Sequence, residues 1–168
     1  MSTGQSVYIG NNAAASSALN GYYSSVRMTN KGVYTGEFTP PTTPLSTTQS
    51  SGTNISAVAS GECKLLVKGT DASIIDKSQS SNLKLFGNTT GSTTQVKFAN
   101  TKSMYFDGTG DYLETSAFSE APVFGTGDWT VEGWFYATDL SNFRTINSNF
   151  LISLNIIVSR SLMHNTIF

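Results

Sequence analysis

Short runs of apolar and aromatic residues alternate with Gly and Asp between Lys102 and Tyr136, in the stretch KSMYFDGTGDYLETSAFSEAPVFGTGDWTVEGWFY. Runs of this length, bounded by residues that favour turns, are typical of consecutive antiparallel strands. Asp-Gly and Gly-Asp pairs supply the turns because they tolerate the positive φ angles of tight hairpins. The pattern predicts strands at Ser103–Phe106, Tyr112–Thr115 and Trp129–Tyr136.

The last of these strands carries aromatic residues on both faces. Successive side chains of a strand point to opposite sides of its sheet. One face would therefore carry Trp129, Val131, Gly133 and Phe135, and the other Thr130, Glu132, Trp134 and Tyr136. We expect a sheet that is packed on one side and partly covered on the other, with Trp129 and Phe135 in the core.

Similar short segments occur along the rest of the chain, separated by clusters of Ser, Thr, Asn and Gly. Turn residues at this spacing bound strands rather than helices. Further strands are predicted at Ser6–Ile9, Tyr22–Met28, Cys63–Lys68, Leu83–Phe86 and Gln95–Phe98. The sequence therefore predicts an all-β chain with antiparallel sheets.

Residues 39–61 interrupt this pattern, because they are rich in Pro, Thr and Ser and contain almost no large apolar side chains. Pro40, Pro41 and Pro44 favour an extended, polyproline-like path and lack backbone donors, which excludes a central strand. We expect an extended linker, or a strap that lies over a neighbouring surface.

Two parts of the sequence resemble one known family. SMYFDGTGDYLE, a spacer and FGTGDWTVEGWFY resemble the opening half of a laminin-G-like or concanavalin A-like jelly-roll domain. Residues 7–45, with GYYSSVRMT followed by VYTGEFTPP, resemble the closing strands of the same family as it occurs in phage structural proteins. The resemblance implies an antiparallel two-sheet jelly-roll-like sandwich.

The two matches occur in reverse order, so the chain would run from the end of one jelly roll into the start of another. Closing strands need partners. We therefore expect residues 7–28 to pair with the sheet that contains residues 103–136, either within one chain or between neighbouring chains. The predicted organisation is a closing-strand segment at 1–38, the linker at 39–61, an opening half at 62–140 and an apolar tail at 141–168.

Composition narrows the function. Charged residues make up 12% of the 168 residues and the net charge is −1, which argues against a nucleic-acid-binding protein with a basic patch. A single cysteine, Cys63, excludes an intrachain disulfide. The start of the sequence does not resemble a secretory signal, and no apolar run is long enough to suggest membrane insertion. With the resemblance, these features predict a virion protein assembled in the host cytoplasm.

Candidate catalytic groups are sparse. Glycoside hydrolases need two carboxylates that flank the scissile bond, and no closely spaced pair lies on one predicted strand. Glu132 stands alone, with a surface or cross-strand role as its more frequent use. The single histidine, His164, and single cysteine do not suggest a Ser-His-Asp site or a zinc site. The sequence predicts a protein that is not an enzyme.

Two kinds of binding site remain open. Members of the resembled family often hold calcium at a rim, and Asp107, Asp111 and Asp128 lie in matching loop positions, although Asp beside Gly is first of all a turn former. Aromatic platforms for a sugar are available, although packing is the more frequent role for such side chains. The candidate platform residues are Tyr22, Tyr23, Tyr112, Trp134 and Tyr136.

Residues 149–159, NFLISLNIIVS, are uncharged and fit both helical and strand spacing. We favour a strand because the rest of the chain is β. Such a segment, if its own domain does not bury it, is adhesive. Together with the linker prolines it gives the predicted interface: Pro40, Pro41, Pro44, Phe150, Leu151, Leu154 and Ile157.

These expectations combine into one principal function and one alternative. The principal hypothesis is a non-enzymatic structural protein of a phage virion, a capsid decoration or a component of a head or tail fibre. Its partners would be copies of itself and a capsid or tail protein. The alternative is a carbohydrate-binding adhesion module that contacts a glycan on the host surface. A truncated glycoside hydrolase is a third reading, which the missing carboxylate pair disfavours.

Overall fold

The computed structural model of this chain is a sandwich of two antiparallel β-sheets. It describes residues 6–11, 17–71, 73–79, 82–115 and 127–139, and the backbone alone of residues 147–148 and 163–167. The described residues contain no α-helix. The prediction of an all-β, two-sheet antiparallel sandwich is therefore confirmed. No helix in the described part of the chain is long and apolar enough to cross a membrane.

The described residues form eleven strands. In chain order they are β1 (Tyr8–Ile9), β2 (Asn20–Thr29), β3 (Cys63–Gly69), β4 (Ile74–Asp76), β5 (Leu83–Phe86), β6 (Thr90–Ser92), β7 (Ser103–Asp107), β8 (Tyr112–Thr115), β9 (Thr130–Ala137), β10 (Asn147–Ser148) and β11 (Met163–Ile167).

The smaller sheet has the order β10-β1-β8-β5, and the larger sheet the order β11-β9-β2-β3-β4. Strand β2 is the centre of the larger sheet. It pairs with β9 along one side, while on its other side it pairs first with β7 and then with β3. Strand β6 extends the sheet beyond β7.

The main core lies between the two sheets. Alternate residues of β3, β7 and β9 face the smaller sheet and fill this core together with Tyr23, Val26 and Met28 of β2. Its largest fully buried members include Phe106, Phe135, Ile9, Met104 and Leu113. Phe135 is thus in the core as predicted, whereas Trp129 packs against the core but stays half-buried.

The expected pairing between the first and the later part of the chain is confirmed within one chain. Strand β1 pairs with β8, with Ile9 opposite Leu113. Strand β2 pairs with both β7 and β9, with Tyr22 opposite Tyr105 on one side and opposite Tyr136 on the other. Residues far apart in sequence thus complete both sheets together.

One predicted strand is wrong. Gln95–Phe98 forms bends rather than a strand, and it lies across the outer face of the larger sheet, the face that points away from the smaller sheet. Its aromatic residue packs on a tryptophan below instead of on a strand neighbour. Four observed strands were not predicted. Strands β4 and β6 have three residues each, too few for alternation to mark, and β10 and β11 lie on either side of residues 149–159.

Residues 33–58, which we call the strap, lie across the outer face of the larger sheet. Isolated bridges join Tyr34 to Ile55 and Gln49 to Val58, so the strap forms a folded loop with its own internal bonds. A second apolar cluster lies beneath it. Its buried members are Val33, Tyr34, Leu45, Val58, Cys63 and Leu66.

Candidate binding surface on the outer face of the larger sheet

The outer face of the larger sheet carries three zones in sequence along β2 and β9. The strap covers the first, a loop of residues 93–101 covers the second, and the third remains partly open. The zones follow from alternation, because Arg27 and Glu132 belong to the first, Trp134 to the second, and Tyr22 to the third.

A buried ion pair lies in the first zone. Arg27 of β2 and Glu132 of β9 are direct cross-strand partners, and both side chains are inaccessible to solvent. The Arg27 Nε donates to Glu132 Oε1 at 2.6 Å. This confirms the cross-strand role predicted for Glu132 and fixes the register of the two central strands.

The strap supplies the remaining partners of this pair. Arg27 donates to the Ser46 carbonyl at 2.8 Å and to Gln49 Oε1 at 2.5 Å, and the Tyr34 hydroxyl donates to Glu132 Oε2 at 2.5 Å. Burial, then the negative charge of Glu132, raises the pKa of Tyr34, which therefore keeps its proton and stays a donor. Charge-assisted bonds of this kind are the strong ones. They hold the strap on the sheet.

In the second zone, Trp134 is covered by the 93–101 loop. Phe98 meets its ring edge-on, with centroids 6.0 Å apart, and the Lys97 Nζ lies 4.0 Å from the ring centroid. The Lys97 amide also donates to Ser24 Oγ at 2.9 Å. Trp134 is therefore buried rather than presented to a ligand.

A polar cleft opens between the strap, the end of β3 and the 93–101 loop. Its volume is about 460 Å³, within the ~300–1,000 Å³ that small-molecule sites usually have. We call it the lysine cleft, after Lys68 and Lys102. Ser24, Ser25, Thr70 and Asn100 contribute polar groups to its lining, and Pro44 and Phe98 contribute apolar surface.

A β-bulge makes this lining. The register between β2 and β9 shifts between Tyr23 and Ser25, so two successive serines, Ser24 and Ser25, reach the same cleft. Bulges redirect side chains in this way and are frequent beside functional sites. Gly133 faces the bulge, and a Cβ there would lie 2.6 Å from the Ser25 carbonyl oxygen. The close approach of the two backbones therefore requires glycine.

The third zone is a row of tyrosines that we call the tyrosine ladder: Tyr136, Tyr22 and Tyr105. They are cross-strand partners on β9, β2 and β7, and each is half-buried. Ring centroids are 4.9 Å apart for Tyr22 and Tyr105 and 6.4 Å apart for Tyr22 and Tyr136. Aromatic rings with one open side can stack on the apolar face of a sugar.

The other predicted sugar residues lie elsewhere. Tyr23 is in the core between the sheets. Tyr112 lies on the outer face of the smaller sheet, stacked on Phe86 with centroids 4.3 Å apart and 5.7 Å from Tyr8. Of the predicted set, only Tyr22 and Tyr136 lie together. The third member of the ladder, Tyr105, was not predicted as a sugar-binding residue, because the sequence placed it only within a predicted strand.

The candidate calcium residues have separate roles. Asp111 is buried, and its two carboxylate oxygens accept backbone amides of Asn88 and Asp107, each at 2.8 Å. Burial raises the pKa of this carboxyl. Asp107 accepts the Thr109 amide at 2.7 Å within its turn, and Asp128 is exposed. No group of three or more metal-ligating side chains occurs in the described residues.

The predicted interface residues are only partly visible. Pro40 and Pro44 are exposed on the strap and Pro41 is half-buried. The apolar members of the tail, Phe150, Leu151, Leu154 and Ile157, lie outside the described residues. Beyond them the backbone of β11 pairs with β9, with His164 opposite Trp134.

A comparison with known proteins gives no relative for this chain: no protein-family model, no curated protein and no solved structure matches it significantly.

Proposed function

We propose that this protein is a non-enzymatic structural component of a phage virion, which acts by assembly with copies of itself and with a capsid or tail protein. The resemblance of the two half-motifs to jelly-roll domains of phage structural proteins supports a location in the virion. The state of Glu132 supports a role without catalysis, because both carboxylate oxygens are engaged by Arg27 and Tyr34. Neither oxygen is left to act as an acid or a base.

The observation that carries the assembly role is the edge of the smaller sheet at β5. This strand pairs with β8, and no described residue pairs with its other side. Leu85 shares the inner face with Leu83, yet it is 38% exposed, the largest exposure of a large apolar side chain among the described residues. An unpaired edge with exposed apolar surface is a template for another chain.

The experiment is a pair of edge variants. Leu85→Glu places a charge where we expect a neighbouring subunit to bury apolar surface, and Lys84→Glu introduces the same residue on the opposite face of the same strand. We expect Leu85→Glu to abolish self-association in sedimentation velocity and incorporation into particles, and Lys84→Glu to preserve both. Equal behaviour of the two variants and wild type, with no subunit detected in purified particles, would refute the assembly role.

The tyrosine ladder favours a second candidate, a carbohydrate-binding adhesion module. Its rings lie beside polar groups, since the Thr138 hydroxyl donates to Asn20 Oδ1 at 2.5 Å next to Tyr22. A glycan array tests this role. We expect binding of neutral glycans that Tyr105→Ala removes and that Tyr112→Ala, on the other sheet, leaves unchanged. Wild-type protein that binds no glycan leaves assembly as the function.

A further inference from the structure

The lining of the lysine cleft contains two lysines, Lys68 and Lys102, and one carboxylate, Asp71, so its charge is net positive. The Lys68 Nζ is hydrogen-bonded to the Leu45 carbonyl, a neutral acceptor, and no carboxylate of the described residues pairs with it. Lys102 pairs with Asp71, which also lines the cleft, at 3.0 Å, but the Asp71 side chain is 96% exposed, where an ion pair contributes little. The buried carboxylate of Glu132 on the same sheet face is paired with Arg27. The cleft therefore attracts an anion.

Burial lowers the pKa of the Lys68 ammonium group, and the positive charges of Lys77 and Arg27 lower it further. A half-buried ammonium group that is surrounded by like charges gains most from an added negative charge. This supports the same direction as the geometry.

The floor of the cleft adds an unsatisfied hydroxyl. Ser25 is 2% exposed, and its Oγ has no hydrogen-bond partner among the described residues. A buried polar atom without a partner is destabilising, and a bound hydroxyl or carboxylate would supply the missing hydrogen bond. Asn100 and Thr70 line the walls, and Phe98 and Pro44 give an apolar side.

We propose that the lysine cleft binds an acidic sugar unit, a carboxylate carried on a ring with hydroxyl groups. The carboxylate meets the ammonium group of Lys68, Lys102 adds a second positive charge to the lining, and ring hydroxyls meet the serine, threonine and asparagine groups. The apolar side of the ring lies against Phe98 and Pro44. This site goes beyond the assembly role and does not depend on it, because binding is measured on the isolated protein.

The test is calorimetric titration of the purified chain with methyl glucuronide, with methyl glucoside as the neutral match and inorganic phosphate as a simple anion. We expect the glucuronide to bind at least about tenfold more tightly than either control. Equal binding of glucuronide and glucoside, stronger binding of phosphate, or no binding of glucuronide up to about 10 mM would overturn the proposal.

Variants assign the binding to the cleft. Lys68→Met and Lys102→Met should each weaken glucuronide binding about tenfold or more. Lys64→Met is the matched control, since Lys64 is on the same strand but does not line the cleft. Its Nζ donates to the Gly61 carbonyl at 2.6 Å. Lys102→Met also covers the case in which Lys68→Met loosens the strap. A loss with Lys64→Met equal to that with both cleft variants would refute the assignment.

Oligosaccharides distinguish the source of the ligand. If an oligosaccharide with an internal glucuronic acid binds as well as the methyl glucuronide, the cleft takes acidic units of a glycan chain. If only the monosaccharide binds, the cleft takes a free sugar acid. Either result supports the acidic-sugar site, and binding of neither overturns it.

Discussion

At the scale of single residues, the buried ion pair of Arg27 and Glu132 determines how the strap lies on the larger sheet. Removing two charges from water costs several kcal/mol for each ion, and attraction between them offsets this only when the remaining hydrogen-bonding groups are also satisfied. Here the strap satisfies them through Ser46, Gln49 and Tyr34. The pair therefore gives the strap a specific position rather than a large net stability.

Replacing one partner of this pair should be severe. In Glu132→Ala the guanidinium of Arg27 stays buried without a counter-charge, and we expect a loss of about 3–5 kcal/mol in the free energy of unfolding, measured with urea. The control is Glu37→Ala, an exposed carboxylate on the strap, which should change stability by less than about 0.5 kcal/mol.

The double variant Arg27→Met with Glu132→Leu tests the reason for the loss. Because it removes both charges, it should be more stable than Glu132→Ala, although Ser46, Gln49 and Tyr34 lose their partners. A Glu132→Ala protein as stable as the Glu37→Ala control would show that the pair is solvated in solution.

The ionisation of Cys63 reports on how closely the strap covers the larger sheet. Cys63 is buried beneath the strap, and burial raises the pKa of the thiol from 9.0 to about 11. The fold thus disfavours the thiolate. The contribution of the protonated thiol to the free energy of unfolding is fully present below pH 9. It is lost as the pH rises towards 11, by about 2–3 kcal/mol.

This predicts a steeper alkaline loss of stability in wild type than in Cys63→Ala. Urea unfolding at intervals between pH 8 and 11 measures both slopes, and the difference between them excludes the titration of buried tyrosines, which both proteins share. Parallel slopes would mean that the thiol is accessible in the folded state.

At the scale of elements, the aromatic residues in and just before β9 differ in how deeply they are buried. Phe135 faces the core, 1% exposed, and its centroid lies 6.0 Å from that of Tyr23. Trp129, just before the strand, only packs against the same core. Phe135→Ala should therefore cost about 3–5 kcal/mol, and Trp129→Ala about half of that. Thermal and urea unfolding of both variants measure the order. A larger loss for Trp129→Ala would place the tryptophan deeper than the structure does.

Strands that alternate over four or more residues were predictable from sequence, since alternation is a local property. The predicted bounds Cys63–Lys68, Leu83–Phe86 and Tyr112–Thr115 differ from the observed strands by one residue at most. Gln95–Phe98 was misread because a Val and a Phe at this spacing also suit a loop anchored by one aromatic side chain. Its packing against Trp134 depends on the tertiary structure, which local sequence does not contain.

The binding surfaces depend on long-range register. Arg27 and Glu132 are 105 residues apart in sequence, and the lysine cleft combines the bulge of β2, the end of β3, the strap and the 93–101 loop. No spacing in the sequence brings Lys68 near Lys102. The tyrosine ladder was half predictable, because Tyr22 and Tyr136 were candidates and only the pairing of β2 with β7 adds Tyr105.

At the scale of the whole molecule, the tail bears on assembly. Deleting residues 149–168 would also remove β11, which pairs with β9 over Met163–Ile167. Substitution within the predicted interface is the cleaner experiment. We expect Leu154→Lys with Ile157→Lys to keep the unfolding midpoint and to lower incorporation into particles. If the double variant is incorporated into particles at the normal level, the strap prolines are the better candidates for the interface.

The order of the chain gives the last prediction. Residues 6–29 form strands in both sheets, and β2 alone pairs with β3, β7 and β9. Without β2 the larger sheet separates into pieces that expose the core residues Val67, Met104 and Phe135. A deletion of residues 1–29 should therefore have no cooperative unfolding transition and a circular dichroism spectrum of unfolded chain.

A deletion of residues 163–168 is the matched comparison, because it removes β11 from the edge of the larger sheet and leaves β9 paired with β2. We expect this shorter protein to retain a cooperative transition. A peptide of residues 6–29 added to the first deletion should restore the sheet spectrum, since one continuous segment supplies both the missing strand pairings and the core residues Tyr23, Val26 and Met28. If the chain without residues 1–29 folds alone, the later segments form a complete domain and the reversed order of the two half-motifs has no structural consequence.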